Sequence, residues 1–79
     1  MSVMKMILTF GEKLRNLREE HELNQTELGK RLGITQRKLS YLECGRCEPS
    51  IADIKAICMF FGISADYLLG LPDGLHYIK

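Results

Sequence analysis

No apolar run in this 79-residue chain approaches the roughly 20 residues that a membrane-spanning helix needs, so a place in a membrane is not expected. The opening MSVMKMILTF lacks both a long apolar stretch and a small-residue cleavage site, which argues against secretion. Alternating apolar and polar segments, repeats and low-complexity stretches are missing too, so neither a sheet protein nor a repeat array is indicated. A strong excess of either charge is also lacking. Eleven Lys and Arg against ten Asp and Glu leave +1, which excludes a histone-like basic protein. DNA binding stays open, because the distribution of charge matters more than its total. Three cysteines are an odd number that cannot form a closed intrachain disulfide framework, so reduced thiols in a cytoplasmic setting are expected.

What is present is enough for one core. At 46% apolar residues the chain can fill a single domain over 1–79, and a second core would leave each half too small to stand alone. The charge it carries is unevenly spread. Residues 24–47 hold Lys30, Arg31, Arg37, Lys38 and Arg46 against Glu27 and Glu43, whereas residues 48–79 hold two cations against four anions.

The periodicity is helical throughout, and cap signals divide it into five helices. Thr9 with Glu12, and Asn24 with Glu27, have the spacing at which a cap side chain and the third helical residue satisfy each other's backbone amides. They predict a first helix carrying Phe10, Leu14, Leu17 and His21 on one face, and a second over Gln25–Leu32, stopped by Gly33. Thr35 caps a third helix running to Glu43 or Cys44, with Gly45 as its left-handed stop. Ser50 and Asp53 open a fourth, with Ile51, Ile54, Ile57, Cys58 and Phe61 as its expected buried stripe. Ser64 opens a short fifth helix, Ala65–Leu69, that stops at Gly70. The pairs Leu23 and Leu28, Ile34 and Leu39, and Ile63 and Leu68 stand where hydrophobic staples would fix the chain's entry into helices two, three and five.

Gln25–Gly45 is the most informative segment: two short helices joined by a tight bend, the pattern of a helix-turn-helix. Gly29 within the second helix costs up to about 1 kcal/mol relative to alanine. Such a cost makes sense where the third helix crosses too closely to leave room for a side chain. On a wheel of about 100° per residue, Leu39 and Leu42 fall on one side of helix three and Gln36, Arg37, Ser40 and Tyr41 on the other. Gln can bridge the N6 and N7 edge of adenine, Arg can fork onto O6 and N7 of guanine, and Ser or Tyr can meet a base edge or a phosphate oxygen.

At these residues the chain resembles the lambda-repressor-like helix-turn-helix family, the Xre or Cro/repressor group of bacterial and phage regulators. LNQTELGKRLGIT, SYLECG and PSIADIKAICMFFGISADYLLG follow the family pattern helix by helix, from about Phe10 to Gly70 (core 9–70). The resemblance implies an all-α, compact five-helix domain whose third helix enters the major groove. It implies that Gln25 contacts a phosphate and braces Gln36, that Gln36, Arg37 and Tyr41 read bases, and that Arg18 and Glu43 form a structural ion pair. Lys38 and Arg46 join Gln25 as expected phosphate holders, and Ser40 joins the base readers. Cys44 and Tyr41 depart from the family's usual residues, which blurs the base preference.

Other chemistry is not supported. Cys44-Gly45-Arg46-Cys47 leaves only Cys58, His21 and His76 as further zinc ligands, none at a paired spacing, so no metal and no cofactor are expected. Cys58 belongs to the expected core. The serines fall at caps or on the polar face, with no His and Asp at a spacing that would activate them, and an enzyme is not expected. The apolar termini, 3–8 and 71–79, want burial, and a homodimer on a pseudo-palindromic operator would provide it. The reading is a sequence-specific regulator of double-stranded DNA that would repress by occupying a promoter. The alternative is an antitoxin-like protein-interaction module acting through helix five and the tail, with DNA binding secondary.

Overall fold

The computed structural model describes residues 8–71. Within them lie five helices: α1 (Phe10–Glu20), α2 (Gln25–Leu32), α3 (Gln36–Cys44), α4 (Ile51–Phe61) and α5 (Ala65–Leu69). Their boundaries follow from local chemistry. Thr9 Oγ1 accepts from the Glu12 amide at 3.2 Å while the Thr9 amide donates back to Glu12 Oε1 at 2.9 Å. The same reciprocal pair closes at Asn24 and Glu27 and at Ser50 and Asp53. Thr35 and Ser64 each accept from the third helical amide alone. At the other end of α2, Gly33 stands at φ 77°, a left-handed conformation that the absence of a Cβ makes inexpensive.

Leu14, Leu28, Leu39, Leu42, Ile57 and Leu68 are completely or almost completely buried and form the centre of the core. Each contributes about 2 to 3 kcal/mol by leaving water, against about 1 kcal/mol for a cap. Burial therefore dominates the stability, while the caps decide where each helix begins. α1 lies against α3 and α5, α2 against α3 and α4, and α4 against α5. Leu23, Ile34 and Ile63, the outer members of the three staple pairs, all pack on this core. Lys13 ties α1 to α5, its Nζ donating to the Tyr67 carbonyl at 2.8 Å and lying 5.1 Å from the ring centroid.

The α4 stripe needs one correction: Ile51 is 78% exposed. The buried side of α4 is centred near Ile57, with Asp53 also buried and Ile54, Cys58 and Phe61 half-buried. Ile51 lies roughly 120° round the helix from Ile57 at 100° per residue, on the side of exposed Lys55 and Met59. His21 caps the carboxyl end of α1. It is exposed, though its ring packs edgewise on Phe61 at 4.8 Å and its Nδ1 lies 2.9 Å from the Leu17 carbonyl.

Two glycines set the position of α3. A Cβ at Gly29 would lie 2.8 Å from the Ile34 carbonyl oxygen, at the bend just before α3. A Cβ at Gly11 would lie 2.7 Å from the Leu42 carbonyl oxygen and closer still to that of Glu43. Both contacts are with backbone, which cannot swing aside. The close approach at Gly29 follows from the sequence pattern; no local signal in the sequence marks that at Gly11.

Candidate nucleic-acid interface

A buried carboxylate organises the site. The Glu43 side chain has no solvent exposure, and Arg18, held on α1, meets it with a two-pronged contact: Nε to Oε2 at 2.7 Å and Nη2 to Oε1 at 3.0 Å. The remaining arm of Arg18, Nη1, donates to the Leu23 carbonyl at 2.9 Å. Gly11 and Arg18 stand seven residues apart, two turns along α1, so the helix flank that presses on the end of α3 also carries its cation.

From this pair a chain of hydrogen bonds runs to the other end of α3. Gln25 Nε2, at the first residue of α2, donates to Glu43 Oε1 at 3.1 Å, and Gln36 Nε2, at the first residue of α3, donates to Gln25 Oε1 at 2.6 Å. Bracing of Gln36 by Gln25 was expected; the link from Gln25 back to Glu43 was not. Burial disfavours the charged form of Glu43, but the hydrogen bonds from Arg18 and Gln25 and the positive charges of Arg18 and Arg15 outweigh it, so its pKa lies below the ordinary glutamate value. The same contact raises the pKa of Arg18, chiefly through the hydrogen bond to Glu43. Arg15 brings its Nε within 3.6 Å of Glu43 Oε1 while its side chain stays half exposed.

The outer face of α3 carries Gln36, Arg37 and Tyr41, all exposed, with Ser40 half-buried at its edge. Tyr41 is steadied by Arg46, whose guanidinium carbon lies 5.8 Å from the ring centroid, a cation–π distance. Lys38 turns toward α4, and its Nζ is 3.0 Å from Asp53 Oδ2. Burial works against ionised Asp53, and the hydrogen bonds from Ser50 and Lys38 overcome it, so its pKa is lowered. Lys38 therefore has a structural partner that its sequence position did not reveal.

The arrangement is two successive helices whose amino ends are joined by an amide–amide hydrogen bond, the second exposing an Arg, an amide and an aromatic on its outer side. Residues 9–69 match the helix-turn-helix domain family. The chain belongs to that family. Over 62 residues it is 34% identical to the HTH-type transcriptional activator BcrR of Enterococcus faecalis, a match spanning 78% of this chain and 30% of that protein. It is 25% identical over 63 residues to the immunity repressor protein of Bacillus phage phi105, spanning 80% and 44% respectively. The chain thus spans less than half the length of either of these relatives. Among solved structures, the P22 c2 repressor in complex with synthetic operator 9T superposes with a TM-score of 0.75 at 30% identity, covering 80% of this chain and 96% of that one. The helix-turn-helix domain described here is thus of the lambda-repressor-like, all-α kind.

The remaining sequence candidates lie at the edges of this domain. Cys44 is exposed at the end of α3, and Cys47 and Cys58 are half-buried and pack on the core; all three are free thiols. Among the described residues no group of three potential ligands stands together, and no helix is long and apolar enough to cross a membrane. His76 and the termini 3–7 and 72–79, on which the expectation of a dimer rested, lie outside the described residues.

Proposed function

We propose that this chain, as a single domain over 1–79, binds double-stranded DNA as the reading head of a transcriptional regulator. The exposed outer face of α3, joined at its amino end to α2 through Gln25 and Gln36, carries this reading. In it α3 enters the major groove with Gln36, Arg37, Ser40 and Tyr41 toward the base edges, while Gln25, Lys38 and Arg46 hold phosphates. Two copies on a pseudo-palindromic operator would repress by occupying a promoter in the cytoplasm, with no cofactor and no enzymatic step. The likeness to a repressor solved with its operator supports the partner class.

The test separates reading from holding. Arg37→Ala should cost about 1 to 3 kcal/mol on the preferred duplex and relax the preference at one base pair per half-site. Lys38→Ala should weaken binding to every duplex and reduce the slope of log affinity against log salt by about one. Because Lys38 also holds Asp53, its melting temperature must be recorded beside its affinity. Equal, sequence-independent losses from both changes would make the protein-interaction module the better reading, with the exposed Tyr67, Leu69 and Leu71 as its surface.

The dimer has its own measurement. Removal of residues 70–79 should leave a folded helical domain that sediments at lower mass and binds its operator far more weakly. A full chain that sediments as a monomer at micromolar concentration, with and without DNA, would dismiss the dimer. Half-sites should be about 34 Å apart, one turn of duplex.

A further inference from the structure

The geometry points to Glu43, a residue too deep to touch DNA, as the positioning residue that decides which base edge Gln36 can read. This inference rests on α3 being the base-reading helix. Its basis is the polarity of the hydrogen-bond chain. An ionised carboxylate accepts and never donates, and Glu43 is held ionised in a fully buried place by Arg18. Gln25 can therefore face it only with its NH2 group, as the 3.1 Å contact from Nε2 to Oε1 shows. That orientation leaves the Gln25 carbonyl oxygen pointing at Gln36, which must answer with an N–H and does so at 2.6 Å.

The consequence lies in what Gln36 has left to offer. With one N–H committed to Gln25, it presents a second N–H beside a free carbonyl oxygen, one donor and one acceptor. That pair matches adenine, whose N7 accepts and whose N6 amino group donates. Were the chain of amides reversed, the Gln36 oxygen would be turned to Gln25 and its two N–H groups would face outward. Two donors match guanine, whose N7 and O6 both accept. A charge buried between α1 and α3 thus selects adenine over guanine at a position it does not contact. Neither glutamine could impose this alone, since an amide can present either end.

The experiment measures the ratio of affinities for a duplex selected from a random pool and for its A·T to G·C variants at each position, with thermal melts confirming that each protein is folded at the binding temperature. Gln36→Ala identifies the base pair concerned. Glu43→Gln gives Gln25 a neighbour that can donate as well as accept, so the adenine-to-guanine ratio at that base pair should fall about tenfold. The ratio at the pair read by Arg37 should hold. Gln25→Met leaves the Arg18 and Glu43 pair intact and should lower the same ratio; loss of its phosphate contact affects both duplexes equally and cancels. It also carries the test should Glu43→Gln fail to fold. If Gln36→Ala abolishes the ratio while the folded relay variants preserve it, α3 reads bases and the relay is overturned. If Gln36→Ala changes no ratio at any position, the base-reading assignment falls and takes the relay with it.

Discussion

Gly11→Ala is expected to destabilise the domain by about 3 kcal/mol, near the upper end of the usual cost of forcing extra volume into a packed interior. For a domain of this size that corresponds to a fall in melting temperature of roughly 15 °C. Helix propensity points the other way, since alanine is favoured over glycine within a helix by about 1 kcal/mol. Gly11 is helical and not left-handed, so no backbone strain complicates the comparison. The deciding contacts are those of the added Cβ with the Glu43 carbonyl oxygen, the nearest, and with that of Leu42 at 2.7 Å, and they can be relieved only by moving α1 and α3 apart. Such a shift would also strain the Arg18 contact two turns away. A melting temperature that rises on Gly11→Ala would show that propensity wins and that the two helices do not meet at this point.

Glu43→Ala should be comparably damaging, at about 3 to 5 kcal/mol, because it leaves the guanidinium of Arg18 and the amide of Gln25 facing an empty, buried place. Arg18→Ala strands the carboxylate in the same way. The double substitution should cost less than the sum of the two, since neither charge is then left without its partner, and additive losses in chemical denaturation would refute the coupling. Acid should act on the same pair. The folded-state pKa of Glu43 is depressed, so its contribution is complete above the ordinary carboxylate value of about 4.3 and is lost as pH falls through the lower folded value. Asp53 shifts in the same direction and adds to the decline. Unfolding free energies should therefore fall as pH drops below about 4, and less so in the Arg18→Met, Glu43→Leu double variant. An equal acid dependence in that variant would show that the pair makes no contribution to it.

The helices themselves were legible because their signals are local. Thr9, Asn24, Thr35, Ser50 and Ser64 each satisfy an amide three residues on, and such a contact needs nothing from the rest of the chain. Gly29 was readable for a related reason, since the bend it meets lies only a few residues away. The family pattern extended this to the partners Arg18 and Glu43, twenty-five positions apart.

Other features could be decided only by packing. Whether Ile51 or Asp53 lies inward depends on which side of α4 the other helices cover, and the apolar pattern alone admits both. Arg15, Lys38 and Gly11 look like ordinary surface or first-turn residues until α1, α3 and α4 are brought together, when they meet Glu43, Asp53 and the end of α3. The sequence by itself thus determined the five helices, the bend and the outward face of α3, because these follow from contacts within a turn or two. Tertiary structure alone decided that Gln25 reaches Glu43. That bond joins residues eighteen apart on different helices, and its direction depends on an acceptor that the fold has closed off from water.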